Sequence, residues 1–589
     1  MALLLTTAVL CGLSQAFAQS PDSVLMHALR FAESQLRRTV TELGDSIYFP
    51  RSTLADGSWK TTRARDWTSG FFPGSLWYMY EHTDDPFFEN AAGRWTEGLR
   101  EIQNYGGTHD VGFISFNSYG HGYRLRRSAG YKNVILQTAH TLTTRFNPTV
   151  GCIKSWDNRT WAYPVIIDNM MNLELLFWAA DHGATSGMRD IAVRHAERTM
   201  QNHFRDDGST YHVLGYDTLS GSVIARNTHQ GYADESVWAR GQAWAMYGFT
   251  MTYRFTRDAR FLQTAERAAD YFINHLPPDH IPYWDFLAPG IPDEPRDVSA
   301  AAIAASALCE LSDYASEQSK RLNYLKTAEN ILRTLSSPAY LAEGTNSRGI
   351  LLHAVGNKPA GAEVDVSLIY ADYYFVEALL RFLSLRLSPS SLQGVTEWEL
   401  GTLDPSAMRG FAKTGDPRPI DSPFGKAVLF DGTGDGLFVE SNPLQHLPSF
   451  TVEVTFRPDS NGLPAQRFLH MGEMSGDRIM LETRLTNDHH WYLDAHVRSG
   501  DSATTLIDER LRHPAGSWYH VALVVADGKV DTYVNGRHEL QGNIRFVPFH
   551  GGKTSIGVRR NKAYWFKGSI CKIRVTAAGL APSEFMIQK

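Results

Sequence analysis

The sequence predicts a multidomain protein in which a closed double ring of helices is followed by an all-β sandwich. Its length of 589 residues exceeds that of one ordinary domain. Residues 21–387 show one helical pattern after another, whereas residues 427–589 show short runs that alternate between apolar and polar residues. Residues 388–426, rich in Pro, Gly and Ser, indicate a linker or lead-in between the two domains.

The helical domain lacks a short solenoid repeat, which favours a closed ring over the alternative, a superhelical array. The helical patterns lie at residues 22–43, 70–82, 86–104, 128–146, 169–182, 186–204, 236–255, 259–275, 297–317, 321–336 and 364–386. Long connections rich in Trp, Tyr, His and Asp lie at residues 47–69, 105–126, 147–167, 205–235, 277–296 and 345–363. Because such connections in compact domains are usually functional, we expect them to meet at one end of the ring and to line a cleft.

The amino terminus predicts export. Residues 2–18 are apolar and end in Ala16-Phe17-Ala18, the pattern cleaved by signal peptidase, although the usual Lys or Arg near the start is missing. We expect residues 1–18 to be a signal peptide, the helical domain to occupy residues 19–387, and the protein to be secreted or periplasmic. No other apolar run has the length of a transmembrane helix.

Charge and cysteine content exclude several functions. A net charge of −6 without a basic block argues against a nucleic-acid partner. After cleavage the remaining cysteines, Cys152, Cys309 and Cys571, are scattered and odd in number. We predict buried free thiols, not a disulfide framework or a thiolate metal site.

The first candidate for chemistry is Asp168, which lies between the apolar run VII and an almost wholly apolar helical pattern that begins at Met170. One interpretation is a helix N-cap. The other is a functional carboxylate, because burying such a group among apolar residues is costly. Asp110, in the sequence THDVGFISF of another long connection, has the same two interpretations.

A second group of candidates lies in the segment THQGYADESVWARGQAWAMYGF. Arg240 and Trp244 are four residues apart and share one helix face, with Gln230 just before the helix. An Arg beside a Trp suits a carboxylate on a sugar ring, whereas the structural alternative pairs Arg240 with Asp234 or Glu235. Other side chains on the same class of connection add a candidate sugar cleft: Trp67, Trp156, Trp161, His212 and Ser367.

Seven segments resemble glycoside hydrolase family 88, the unsaturated glucuronyl hydrolases, in order and spacing. They are DWTSGFFPGSLWYMYE, HDVGF, IIDNMMNLELLFWAA, THQGYADESVWARGQAWAMYGF, IPYWDFLAP, RDVSAAAIAASAL and VSLIYADYYFVEALLRF. The resemblance covers about residues 25–387 and implies an (α/α)6 barrel. It also implies removal of a 4,5-unsaturated uronic acid from the non-reducing end of oligosaccharides made by polysaccharide lyases, from a glycosaminoglycan or ulvan type of polymer.

In this family's chemistry the C4=C5 vinyl ether is hydrated, and the resulting hemiketal opens to release the remaining sugar. One group acts first as acid and then as base, unlike the two carboxylates of ordinary glycosidases. By resemblance Asp168 is that group, and Asp110 is a second carboxylate that holds sugar hydroxyls. No cofactor or metal is implied.

The resemblance assigns eight further residues to substrate binding. His212, Gln230, Arg240 and Trp244 look like the pocket for the unsaturated ring and its carboxylate. Trp67, His109 and Trp156 look like the lining of the subsites, with Trp161 as the alternative to Trp156. Ser367 looks like a residue near the leaving sugar.

Residues 395–589 resemble a laminin-G-like or concanavalin-like module, which implies a jelly-roll sandwich over residues 427–589. Such modules often bind sugar or calcium, so we expect a polysaccharide contact. Asp431 and Asp435 are candidate calcium ligands or, alternatively, simple turn formers.

Two other functions fit parts of the sequence. An unsaturated rhamnogalacturonyl hydrolase would share the barrel and the chemistry, but the segment THQGYADESVWARGQAW argues against it. A secreted carbohydrate-binding protein without activity would use only the sandwich, and the presence of Asp110, Asp168, Arg240 and Trp244 argues against it.

Overall fold

A computed structural model describes residues 21–157, 160–185, 187–315, 317–387, 395–402 and 411–586. The predicted signal peptide, residues 1–18, lies outside the described residues, as do parts of the predicted lead-in, residues 388–394 and 403–410. The described chain forms a helical domain up to Leu387 and a β-domain from Val395 onward.

The helical domain is a double ring. Its α-helices are α1 (Pro21–Leu43), α2 (Phe71–Thr83), α3 (Pro86–Glu97), α4 (Val111–Ser115), α5 (His121–Arg126), α6 (Ala129–Thr143), α7 (Asn169–Asp181), α8 (Gly187–Asn202), α9 (Ala239–Thr256), α10 (Ala259–Asn274), α11 (Val298–Tyr314), α12 (Gln318–Leu335) and α13 (Ile369–Leu387). Within the described part of the chain, none of these helices is both long and apolar enough to cross a bilayer.

Burial separates an inner ring from an outer one. Helices α2, α9 and α11 are buried over most of their length, the pattern of helices surrounded by protein on every side. The inner ring runs α2, α4 with α5, α7, α9, α11 and α13, and α13 packs back against α2. The outer helices are amphipathic, as α10 illustrates by burying Phe261, Ala265 and Phe272 on one face. This closed arrangement confirms the predicted barrel and excludes the superhelical array.

One inner helix was missed by the sequence reading. Residues 105–126 were expected to be a connection, but they form α4, a π-helical turn at Phe116–Gly120 and α5. Within residues 111–126, three glycines and several aromatic residues hide the helical period. A smaller error lies near residue 364, where the predicted helix begins too early because a strand at Ala362–Val366 precedes α13.

Small antiparallel sheets fill the long connections at one end of the barrel. Their strands are β1 (Phe49–Thr53), β2 (Trp59–Thr62), β3 (Phe146–Asn147), β4 (Cys152–Ile153), β5 (Pro164–Ile166), β6 (Val213–Tyr216), β7 (Val223–Asn227), β8 (Ala354–Asn357) and β9 (Ala362–Val366). Backbone contacts join separate connections: Ser52 bridges to Leu368, and His109 N donates to Ser155 O at 3.3 Å. The connections therefore meet at one end of the barrel, as expected.

The β-domain is a sandwich of two eight-stranded sheets. Its strands are β10 (Val395–Glu399), β11 (Phe411–Thr414), β12 (Arg418–Ser422), β13 (Gly425–Asp431), β14 (Gly436–Val439), β15 (Phe450–Pro458), β16 (Ala465–Gly472), β17 (Arg478–Leu485), β18 (His490–Ser499), β19 (Ser502–Ile507), β20 (His513–Pro514), β21 (Tyr519–Ala526), β22 (Lys529–Val534), β23 (Arg537–Asn543), β24 (Lys553–Ile556) and β25 (Lys567–Thr576). One sheet has the order β12-β13-β25-β15-β21-β22-β23, and β10 pairs with β25. The other has the order β11-β14-β24-β16-β17-β18-β19, and β20 pairs with β18.

The predicted lead-in contains strands of the sandwich. Residues 395–422 hold β10, β11 and β12, and β10 pairs with β25 near the end of the chain. The composition of this segment resembles a linker because its strands are short and separated by Pro and Gly. Asp431, a candidate calcium ligand, accepts hydrogen bonds from the backbone N–H groups of Thr433, Gly434 and Asp435 at 2.8–3.0 Å. These bonds are those of a turn-forming Asp.

The three cysteines of the described chain, Cys152, Cys309 and Cys571, are buried and unpaired. Burial raises the pKa of Cys152 and of Cys309 to about 12. Since the thiolate is the reactive form, these residues act as small apolar groups.

The sandwich lies against the carboxyl ends of the inner helices. Arg124 of α5 bonds Glu473 at 2.6 Å, and Arg127 bonds Asp477 at 2.6 Å. On the opposite side, Ser384 of α13 donates to Gln445 Oε1 at 2.5 Å. The amino ends of the same helices lie at the other end of the barrel.

Helices α4 and α7 approach closely through Gly112. Asn172 Oδ1 of α7 accepts a hydrogen bond from the backbone N–H of Phe113 at 2.8 Å. A Cβ at residue 112 would lie 2.5 Å from Asn172 Oδ1 and 2.8 Å from Asn172 Cα. Only glycine therefore permits the spacing of the two helices that follow Asp110 and Asp168.

We predict that Gly112→Ala lowers the free energy of unfolding by about 1–3 kcal/mol, because the methyl group forces α4 away from α7. Thermal melting followed by circular dichroism measures the change. Gly130→Ala is the matched control: it lies in α6, where an added Cβ meets only Ser128 Oγ, at 3.6 Å. Equal melting temperatures for the two variants would contradict the close packing of α4 and α7.

Candidate active site

The amino ends of the inner helices bring the predicted residues together. Asp110 immediately precedes α4 and Asp168 immediately precedes α7. Arg240 is in the first turn of α9, and Asp297 caps α11. Trp67 and Ser367 lie shortly before α2 and α13. Backbone N–H groups at helix amino ends favour anions, so this end of the barrel suits a carboxylate-bearing ligand.

Asp168 occupies the N-cap position of α7, but its side chain does not cap the helix. Its side chain makes no capping hydrogen bond, and Asp168 Oδ2 is buried without a hydrogen-bond partner among the described residues. The pKa of Asp168 is raised to about 7, mainly by loss of hydration and in a smaller part by nearby Asp110, while the charge of Arg240 opposes the rise. The carboxyl keeps 14 % of its side-chain surface exposed, so a ligand can reach it.

Asp110 is the second carboxylate of the site. Its side chain makes no capping bond to α4. Oδ2 accepts a hydrogen bond from Thr108 Oγ1 at 2.7 Å, and Oδ1 lies 3.2 Å from Nε2 of the buried His109. Burial lowers the pKa of His109. The predicted subsite residue His109 therefore contacts Asp110 from inside the protein and has no exposed surface of its own.

His212 is fixed as a neutral donor that faces Asp168. The backbone N–H groups of His229 and Gln230 point at His212 Nδ1 at 3.2 and 3.3 Å, which makes Nδ1 the acceptor and places the proton on Nε2. His212 Nε2 lies 3.8 Å from Asp168 Oδ2 and has no hydrogen-bond partner among the described residues. Burial lowers the pKa of His212 well below its ordinary value, so the ring stays uncharged.

Arg240 is buried, and its guanidinium is already bonded by the protein. Nη1 bonds Asp297 at 2.9 Å and the carbonyl oxygen of Val355, and Nη2 bonds the carbonyl oxygen of Gly356 at 2.6 Å. The structural alternative named the wrong partner, because Arg240 pairs with Asp297 and not with Asp234 or Glu235. The bonds of Nη1 and Nη2 hold the guanidinium beside the β8–β9 hairpin, and its charge acts on Asp168.

Gln230 contributes to the same anchor. Its Nε2 donates to Gly356 O at 3.0 Å, the oxygen that Arg240 also bonds. Together the two side chains hold the β8–β9 hairpin beside the first turn of α9. This hairpin therefore has a fixed position at the edge of the site.

Aromatic rings line one side of His212. Trp156 lies 6.3 Å from His212 and 5.2 Å from His229, and Trp161 lies 5.7 Å from Trp156. Both tryptophans are half-buried, so the structure places the two alternatives of the sequence reading side by side. His212 itself stacks on Trp238 at 4.4 Å.

Trp67 and Trp244 differ in their access to a ligand. Trp67 is half-buried and packs on Tyr370 at 4.8 Å. Trp244 is completely buried, with its ring 5.3 Å from both Phe113 and Tyr374. The ring of Trp244 lies in the core beneath the site, so it presents no surface for the expected sugar contact.

Ser367 is also inside the protein. Its side chain is 1 % exposed, and its hydroxyl lies 2.8 Å from Ser347 Oγ. Its backbone N–H donates to Thr53 Oγ1 at 3.0 Å. Ser367 thus joins two connections and does not present its hydroxyl to a leaving sugar here.

Three positioning residues were missed by the sequence reading: Trp238, Asn172 and Asp297. Trp238 carries the His212 ring, Asn172 fixes the spacing of α4 and α7, and Asp297 holds Arg240. Only Asp297 has a local sequence signal. The sequence Asp-Val-Ser fits an N-cap, and Asp297 Oδ1 accepts from Ser299 N at 3.0 Å.

Known proteins resemble each domain separately. A family model described as the concanavalin A-like lectin/glucanases superfamily matches residues 431–584. The unsaturated glucuronyl hydrolase of Formosa agariphila is 46% identical over 356 residues, which are 59% of this chain and 88% of the relative. The unsaturated chondroitin disaccharide hydrolase of Streptococcus agalactiae is 32% identical over 361 residues, which are 60% of this chain and 90% of the relative.

Solved structures match the barrel as well. An unsaturated glucuronyl hydrolase specific for heparin superposes with a TM-score of 0.60 at 46% identity, covering 62% of this chain and 98% of that one. The unsaturated glucuronyl hydrolase of Bacillus sp. GL1, responsible for glycosaminoglycan degradation, gives a TM-score of 0.58 at 31% identity, covering 61% and 96%. The matched part of these proteins is the helical domain.

Proposed function

The chain belongs to the family of unsaturated glucuronyl hydrolases, glycoside hydrolase family 88, and we propose that Asp168 is the acid and base of its reaction. The reaction is hydrolytic removal of the unsaturated uronic acid from an oligosaccharide. The observation that carries the proposal is a buried carboxyl with a pKa of about 7 and one oxygen left without a partner. A group of this kind can hold a proton near neutral pH and still give it up.

The chemistry needs one proton transfer in each direction. Protonated Asp168 gives its proton to C4, and the electron pair of the C4=C5 bond forms the new C4–H bond. The positive charge that develops on C5 is shared by the ring oxygen. Asp168, now a carboxylate, takes a proton from the water that attacks C5, and the hemiketal then opens and releases the remaining sugar.

The neighbouring groups divide the remaining tasks. His212 Nε2–H points at the Asp168 side of the site, where it can donate to the substrate or to the attacking water. Asp110 accepts hydrogen bonds from sugar hydroxyls, and its charge helps to keep Asp168 protonated. Trp156 and Trp161 offer ring faces to the sugar.

We propose that the substrate derives from a glycosaminoglycan, with an ulvan-type oligosaccharide as the alternative. Relatives named for heparin and for chondroitin disaccharides support the first choice. The amino ends of the inner helices and the charge of Arg240 support binding of the uronate carboxylate.

We also propose that the protein acts outside the cytoplasm and that its sandwich contacts polysaccharide. The apolar residues 2–18 support export. A cavity of about 140 Å³ on the sandwich, lined in part by Phe424, Trp518 and His520, supports the contact. The rings of Phe424 and Trp518 lie 5.9 Å apart, and buried His520 Nδ1 has no hydrogen-bond partner among the described residues.

Asp168→Asn should abolish turnover, with a loss of at least about 10²-fold, because the amide cannot donate a proton to C4. The measurement is loss of the ultraviolet absorbance of the conjugated double bond, on lyase digests of chondroitin, heparin, hyaluronan and ulvan. The ranking of digests by the wild type identifies the polymer.

Asp313→Asn is the matched control for this variant. Burial also raises the pKa of Asp313 to about 7, and its side chain is 16 % exposed, but it lies near the carboxyl end of α11. Its turnover should equal that of the wild type. Full activity of Asp168→Asn would remove Asp168 from the mechanism, and a folded wild type that leaves every digest unchanged would overturn the proposed activity.

The pH dependence follows from the same group. Because the reaction begins from protonated Asp168, kcat/KM should fall as pH rises through about 7. The folded-state pKa lies above the ordinary value of 3.8, so the ionised carboxyl destabilises the fold increasingly as pH rises from about 4 to about 7. Asp168→Asn should therefore melt at a higher temperature than wild type at pH 8 but not at pH 4. A flat kcat/KM profile to pH 9 would contradict this assignment.

Trp518→Ala should weaken retention of the protein in gels that contain the parent polysaccharide, because it removes an aromatic ring that lines the sandwich cavity. Hydrolysis of small unsaturated oligosaccharides should be unchanged. Tyr564→Ala is the control, because Tyr564 is an exposed aromatic residue of the sandwich that does not line the cavity. Equal retention of both variants would rule out a polysaccharide contact at Trp518.

A further inference from the structure

A large cavity lies at the end of the barrel opposite to Asp168. Its volume is about 800 Å³, within the range of about 300–1,000 Å³ that small-molecule sites occupy. The barrel contributes the carboxyl halves of its inner helices, including Trp178, His182 and Arg254. The sandwich contributes the turns that contain Gly500, Val547 and Gly551. The cavity is therefore a chamber between the two domains, and domain interfaces are preferred places for ligands.

An aromatic layer separates this chamber from the catalytic residues. Phe113 lines the chamber and packs against Trp67 at 5.7 Å and Trp244 at 5.3 Å on its other side. Tyr374 also lines the chamber and lies 5.3 Å from Trp244. A ligand in the chamber would thus occupy a site distinct from the one around Asp168.

The charges of the chamber are balanced. Equal numbers of acidic and basic side chains line it, and most of them pair with one another. Arg254 bonds Glu174 at 3.0 Å, and Arg189 bonds Asp181 at 2.6 Å. A charged ligand would gain little net attraction here, whereas paired carboxylates and guanidiniums still offer donors and acceptors to hydroxyl groups.

Two features of the barrel side point to a ligand. The side-chain amide nitrogen of Asn117 is buried and has no hydrogen-bond partner among the described residues, and Asn117 lines the chamber. Asn117 also lies in the π-helical turn Phe116–Gly120, and π-helical turns inside α-helices occur frequently at functional sites.

Aromatic rings also line the chamber. Trp178 stacks on His182 at 3.9 Å and lies 5.9 Å from Phe116. Ring faces beside hydrogen-bonding side chains are the lining that sugar rings require, since a sugar has apolar C–H faces and polar edges.

We propose that the chamber between the barrel and the sandwich is a second binding site, for a neutral di- or oligosaccharide. The chemical class follows from the balanced charge, the aromatic lining, the unpaired amide and a volume that admits more than one sugar ring. This binding site is separate from the one that hydrolyses unsaturated uronyl oligosaccharides, and the proposal does not depend on the role of Asp168.

The test uses the full chain and four neutral probes: N,N′-diacetylchitobiose, cellobiose, lactose and maltose. Titration calorimetry should detect binding of at least one probe to the wild type, and equally to Asp168→Asn. Val547→Trp places a large ring in the chamber and should raise the Kd about tenfold or more, a loss of about 1.4 kcal/mol. Asn117→Leu removes the unpaired amide from the barrel side and should also raise the Kd, which provides a second variant should the first fail to fold.

Ile507→Trp is the matched control. Ile507 is 44 % exposed and Val547 is 42 % exposed, both on the sandwich, but Ile507 does not line the chamber. Its Kd should equal that of the wild type, and all three variants should hydrolyse the unsaturated substrate normally. The proposal is overturned if no probe binds the wild type, if folded Val547→Trp and Asn117→Leu bind as the wild type does, or if the probe competes with the unsaturated substrate.

Discussion

The catalytic end of this protein depends on one desolvated carboxyl group. Asp168 lies at the amino end of α7, where the helix dipole favours an anion, and Arg240 adds a positive charge. Both effects lower its pKa, yet loss of hydration outweighs them and raises the pKa to about 7. The raised pKa requires that no hydrogen-bond donor contacts Asp168 Oδ2. The positions of His212, which stays 3.8 Å away, and of Arg240, which is bonded elsewhere, maintain it.

The two ends of the barrel differ in electrostatic character because the inner helices have their amino ends at one end and their carboxyl ends at the other. The amino ends of the inner helices meet at Asp110 and Asp168 and suit an anionic sugar. The carboxyl ends carry Arg124 and Arg254 in the last turns of α5 and α9, which complements the dipoles. The sandwich adds carboxylates to this end, so the charges of the chamber cancel.

The sequence predicted the elements whose signals are local. Apolar periodicity located most inner and outer helices, and an acidic residue between two apolar segments identified Asp168. It could not predict contacts between residues that are distant in the chain. Arg240 finds its partner 57 residues away in Asp297, and the protonation of His212 is set by the backbone of residues 229 and 230. The helices α4 and α5 were missed because the glycines of this segment, of which Gly112 is needed for close packing against α7, remove the periodic pattern.

At one point of the interface between the domains, the sandwich adds a carboxylate to an ion pair that the barrel already holds. Arg124 bonds Glu81 of α2 through two nitrogens, at 2.6 and 2.8 Å, independently of the sandwich. Glu473 joins this pair at 2.6 Å, and burial raises its pKa to about 7. A carboxyl added to a complete ion pair gains little attraction for its loss of hydration. Arg124 therefore keeps a charged partner without the sandwich, whereas Arg127 pairs with Asp477 of the sandwich. The sandwich thus supplies one wall of the chamber and, through Asp477, the partner of a charge on the barrel.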